Sequence, residues 1–87
     1  MALGHHEILL HPYVTEKTLT LMERENKLEF VVKRDASKDQ IKRAFEERYD
    51  VKVADVATKR VKDGKHAIIK FAEGYRAEDV GMRIGIF

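Results

Sequence analysis

Ala57-Thr58-Lys59-Arg60-Val61-Lys62-Asp63-Gly64-Lys65-His66-Ala67-Ile68-Ile69-Lys70-Phe71 is the stretch on which the architecture turns. Asp63-Gly64 reads as a two-residue hairpin turn, because both central positions of such a turn require positive φ. The arms run from Ala57 to Lys62 and from Lys65 to Phe71, with Ala67, Ile69 and Phe71 at alternate, inward-facing positions. A hairpin imposes antiparallel pairing, so the sheet is predicted to be antiparallel or mixed.

Upstream, Val51 to Thr58 is a strand whose alternation slips between Val53 and Val56, which predicts a bulge or bend. Ser37 opens the clearest helix. Ser37 and Gln40 match the capping-box pattern, and Ile41, Ala44, Phe45 and Tyr49 follow at helical spacing. Lys38, Lys42, Arg43, Glu46 and Glu47 occupy its other side. Lys27 to Lys33 is a strand with Leu28, Phe30 and Val32 on one face and Lys27, Glu29, Val31 and Lys33 on a half-polar face. Thr15 is the expected cap of a helix from Glu16 to Arg24, with Val14 and Leu19 placed for a hydrophobic staple and Met22 sharing the stripe of Leu19. Glu25-Asn26 is its exit turn. Glu7 to Leu10 suits an edge strand stopped by Pro12. A short closing helix spans Ala77 to Arg83, weakened by Gly81 by roughly 1 kcal/mol relative to Ala.

The chain of 87 residues contains no cysteine, so neither a disulfide nor a thiolate metal site supplements its core. Its hydrophobic fraction of 44% is enough for one small packed domain spanning 1–87, with no repeats, low-complexity tracts or linkers. No apolar run approaches membrane-spanning length and no basic-then-apolar leader opens the chain, so a soluble, cytoplasmic protein without membrane insertion is expected.

The formal net charge of +2 hides segregation. Val32 to Arg43 carries a positive balance through Lys33, Arg34, Lys38, Lys42 and Arg43, and Lys52 to Lys70 holds six basic residues against two acidic ones. The remaining segments are neutral to negative. Such blocks predict a positive side suited to a polyanion. Lys59, Arg60, Lys62 and Lys65 crowd the hairpin, with His66 and Lys70 behind them, and a projecting hairpin can present cations to phosphates. An edge strand kept soluble by lysines is the plainer explanation of the same residues. Lys38, Lys42 and Arg43 form a second patch at the start of the long helix, whose positive N-terminal end adds attraction for phosphate.

Catalysis finds no support. His5-His6 beside Glu7 lie on an extended segment where neighbours point apart, and exposed, solvated histidines account for them. Ser37 is a cap without a nucleophile elbow, and the five glycines form no phosphate loop or dinucleotide fingerprint. Phe30, Phe45 and Phe71 sit on inward faces, while Tyr13, Tyr49 and Tyr75 are undecided. Without paired surface aromatics, folded RNA fits better than single-stranded sequence readout.

Ile8-Leu9-Leu10-His11-Pro12-Tyr13-Val14-Thr15-Glu16-Lys17, Asn26 to Val32, Ala36-Ser37-Lys38 to Val53 with its Val-Lys-Val, and the basic hairpin together resemble the universal large-subunit ribosomal protein twenty-three family over nearly the whole chain. The resemblance implies an α+β sandwich of two or three layers, with a four-stranded antiparallel sheet and helices packed on it. It also implies a structural, non-enzymatic role in translation without cofactors, and binding of 23S rRNA beside the polypeptide exit tunnel. Further implied partners are large-subunit ribosomal protein twenty-nine and the signal recognition particle or other nascent-chain factors. Glu16 is then the candidate for factor docking, and Lys17 joins the hairpin bases as a candidate for rRNA contact. The tight turn replaces a long basic extension of bacterial members, so the chain resembles the archaeal branch and a tunnel-lining role is not expected. Ala57 stands where members often carry asparagine, and Lys65-His66 stands for a lysine pair, making one charge pH-dependent. The rival is a small α/β protein-interaction or regulatory domain working through the acidic blocks.

Overall fold

The computed structural model describes residues 8–62 and 64–86. Its elements are β1 (Leu9–Pro12), α1 (Glu16–Glu25), β2 (Lys27–Val32), α2 (Lys38–Tyr49), β3 (Val53–Val61), β4 (Gly64–Phe71) and α3 (Ala77–Ile84). The strands form one antiparallel sheet in the order β1-β2-β4-β3. The α+β class and element order follow the expectation. His5, His6 and Glu7 lie outside the described residues.

Local chemistry places the helices. Thr15 holds extended backbone and its hydroxyl accepts from the Thr18 N–H at 3.2 Å, while Thr18 Oγ1 accepts from the Thr15 N–H at 2.8 Å. The same reciprocal bonding joins Ser37 and Gln40 at α2. Asn26 ends α1 and Asp50 ends α2, both with left-handed backbone (φ 57° and 53°). Val14 stays exposed beside the cap, whereas Leu19 packs against the core.

Alternation decides what each strand buries. Leu28, Phe30 and Val32 of β2 share a face with Ala67, Ile69 and Phe71 of β4 and with Val53 and Val56 of β3. Onto this face α1 lays Met22, α2 lays Ile41, Ala44 and Phe45, and α3 lays Ala77 and Val80, giving one continuous core cluster. The helices therefore form one layer and the sheet the other. Phe45 packs edge-on against Phe30 at 5.2 Å between centroids and also meets Tyr49 and Phe71.

Strand boundaries differ from expectation in detail. The strand expected from Val51 to Thr58 and the overlapping hairpin arm from Ala57 to Lys62 make up β3, which opens at Val53, and the expected bulge lies between Val53 and Asp55. Val61 pairs with Gly64, so β4 opens at Gly64, one residue before the expected arm at Lys65. Asp63 lies outside the described residues. Gly64 opens β4 with φ +154°, a backbone conformation that favours glycine. Strand β1 also reaches further than expected, through Pro12, whose missing N–H is tolerated on a sheet edge.

Candidate RNA-binding surface

The sheet sorts the predicted cations onto two faces. Arg60 and Lys65 sit opposite one another on the helix side. The Lys65 ammonium donates to the Ala36 carbonyl at 2.6 Å, which ties the hairpin to the loop that enters α2. The start of strand β3 packs beside the start of α2, where Lys38, Asp39 and Lys42 line a shallow cleft with Ala54, Asp55 and Val56. The Lys65 bond thus brings the hairpin to the loop before α2, while the α2 patch lies along the start of β3. Arg60, Lys62, Lys38, Lys42 and Arg43 are all exposed. Among the described residues no carboxylate forms a salt bridge with any of them; the pairs seen are Lys27–Glu25, Lys59–Glu29, His66–Glu29 and Arg76–Glu78.

Lys59, His66 and Lys70 face the opposite side, on which none of the described helices packs. Lys70 is exposed across from Lys27 and Asp55. Lys59 and His66 are engaged differently. They flank Glu29, whose side chain is only 3% exposed; its Oε2 accepts from His66 Nδ1 at 2.6 Å and lies 3.4 Å from Lys59 Nζ. His66 is itself buried and carries the Tyr13 ring at 4.5 Å between centroids. The imidazole expected to serve as an outward, pH-dependent charge is instead bound to an interior acid. Alternation assigned Glu29 to the half-polar face, which is correct; its burial there depends on partners 30 and more residues away, and no local pattern announces it.

Lys17 and Glu16 are exposed on the first turn of α1, next to the exposed Tyr13 and Val14. α1 packs on β2 and α3. Of the undecided tyrosines, Tyr49 and Tyr75 pack against the core. Burial pushes the Tyr49 phenol above its usual value of 10.0, with the Arg48 guanidinium acting in the opposite direction. Among the described residues no group of three or more His, Asp or Glu side chains could hold a metal ion, and no helix is long and apolar enough to cross a membrane.

The described residues form a two-layer α+β domain with a cationic hairpin end. Comparison with known proteins gives that domain a family. The family described as "Ribosomal protein L23" matches residues 7–79. Proteins named "Large ribosomal subunit protein uL23" are similar over almost their entire length. The one from Methanobrevibacter smithii is 51% identical, covering 94% of this chain and 96% of its own. That from Picrophilus torridus is 48% identical, covering 93% and 99%, and that from Thermoplasma acidophilum is 46% identical, covering 93% and 96%. This chain belongs to the ribosomal protein L23 family: it is a structural protein of the large ribosomal subunit, acting in translation in the cytoplasm, and not an enzyme.

Proposed function

We propose that the chain grips folded 23S rRNA through the hairpin end and the start of α2. The observation that carries this reading is the set Arg60, Lys62, Lys38, Lys42 and Arg43, exposed and without a salt-bridged acid among the described residues. Exposed cations with no internal partner release condensed counterions from phosphates at little structural cost. Lys70 and Lys17 are further exposed candidates, whereas Lys59, Lys65 and His66 hold the fold and contribute at most the remainder of their charge.

This division selects the test. The four-fold replacement of Lys38, Lys42, Arg43 and Arg60 by Ala removes no bond on which the fold depends. Binding of the full-length protein to a large-subunit rRNA fragment should then weaken strongly, with the slope of log affinity against log salt shallower by roughly 3. Undiminished affinity refutes the assigned surface.

The family resemblance supports the finer position: beside the tunnel exit, against large-subunit ribosomal protein twenty-nine, with the signal recognition particle or another nascent-chain factor docking at Glu16. Exposure of Glu16 beside Tyr13 and Val14 is compatible with that role. Crosslinking from Glu16 in purified ribosomes tests the position. Glu16→Lys should weaken factor association while subunit assembly stays normal, and unchanged association leaves Glu16 as a helix-start residue that favours the dipole.

A further inference from the structure

A cleft of about 430 Å³ opens at the hairpin end of the sheet face opposite the described helices. Val31 and Val61 give it apolar lining, Tyr13, His66 and His11 give it aromatic rings, and Lys62 gives it a cation. We propose that this cleft receives one unstacked nucleotide of folded RNA, its base against the Tyr13–His66 ring pair and its phosphate held by Lys62. The inference rests on the rRNA-binding reading and adds a specific site to it.

Three observations converge on a nucleotide. First, Tyr13 remains 41% exposed although its ring lies 4.5 Å from His66 at 54°, so the pair keeps an aromatic surface open to solvent. Aromatic surfaces of this kind take the π-face of any base. Second, Glu29 fixes the imidazole. Its bond to Nδ1 leaves Nε2 as the remaining polar atom of His66, a group that can meet a 2′-hydroxyl or a base edge. Third, the charge suits a phosphate. Among the described residues lining the cleft there is no acid, and the nearby Glu29 carboxylate is engaged by the Lys59 ammonium and by His66 Nδ1. The cleft sits at the small end of ligand cavities, room for one base and its sugar but not for a helix.

The test uses full-length protein and a large-subunit rRNA fragment, with equilibrium binding and base-by-base chemical probing. Tyr13→Ala, and Tyr13→Leu as a bulk-retaining partner without a ring face, should each weaken binding roughly 5- to 150-fold. The salt slope should stay as in the wild type, since no phosphate contact is removed, and a single base should become reactive. Tyr13→Phe should retain both affinity and protection. Wild-type affinity and protection in Tyr13→Ala and Tyr13→Leu overturn the cleft. If the four-fold cation variant has lost binding in the same assay, the rRNA-binding surface stands without it; if that variant also binds normally, both readings fall.

Discussion

The Asn26 side-chain carbonyl accepts the backbone N–H of Ala77 at 2.6 Å, fifty-one residues along the chain. Arg76, the residue before α3, makes no capping bond with its own side chain, so Asn26 caps that helix from across the fold. Its amide nitrogen also donates to the Tyr75 carbonyl at 2.8 Å, and its backbone carbonyl accepts from the Phe71 N–H. One side chain ends α1 in left-handed backbone and starts α3.

Asn26→Ala removes both side-chain bonds and forces a Cβ-bearing residue without local polar compensation into positive φ. Denaturant melts should record a loss of about 2–4 kcal/mol. Asn26→Gly separates the two effects: it accepts the left-handed backbone, so a remaining loss of about 1–3 kcal/mol measures the latch. A glycine variant as stable as wild type would leave the latch without energetic weight.

Glu29 sits between Lys59 and His66 on the sheet face opposite the described helices. Glu29→Ala strands His66 Nδ1 in the interior while half-exposed Lys59 returns to water, so the cost should be about 2–3 kcal/mol. Glu29→Gln retains an acceptor for His66 and should lose less. A double-mutant cycle with His66→Ala isolates the pair; a coupling of about 1–3 kcal/mol is expected, and additivity would mean that the 2.6 Å bond is energetically idle.

Arg60 and Lys65 face each other across the hairpin yet should separate cleanly in experiment. Lys65→Met keeps the apolar stem and removes the bond to Ala36, so it should lower stability by about 1 kcal/mol with little effect on rRNA affinity. Arg60→Ala should do the reverse, leaving the melt unchanged and making the salt slope shallower by about 1. Equal behaviour of the two variants in both assays would contradict the division of roles.

Tyr49 governs part of the alkaline limit. Its folded-state phenol ionises at higher pH than the free side chain because burial disfavours the phenolate. The unfolded chain loses that proton first, so the stabilisation is intact below the ordinary value of 10.0 and drains away as pH climbs past it towards the folded value. Between pH 8 and pH 11, Tyr49→Phe should lose less stability than wild type in paired denaturant melts.

Much of the fold can be read locally. Ser37 with Gln40, the stripe through Ile41, Ala44 and Phe45, and the alternation of Ala67, Ile69 and Phe71 each report their own neighbourhood, and each element lies where those patterns put it. β4 opens at Gly64, one residue before the expected arm, because glycine tolerates both a turn position and a strand start with φ +154°, and composition alone does not separate the two. The surface was less legible. Counting lysines and arginines found the hairpin and α2, but not that Lys65 is tethered to Ala36 or that Lys59 and His66 serve Glu29. Those contacts depend on strand neighbours distant in sequence, and a charged residue looks the same in a sequence whether it meets water, RNA or an interior partner.

The strand order sets a timetable for the chain. β4 lies between β2 and β3, so every strand pairing except that of β1 with β2 awaits residues beyond Gly64. A nascent polypeptide that has emerged only as far as the hairpin holds one two-stranded ribbon and an unpaired β3, an arrangement of marginal stability in water. Assembly of this sheet is therefore a late, all-at-once event that follows synthesis of most of the molecule, and truncation within β4 should abolish the folded state rather than trim it.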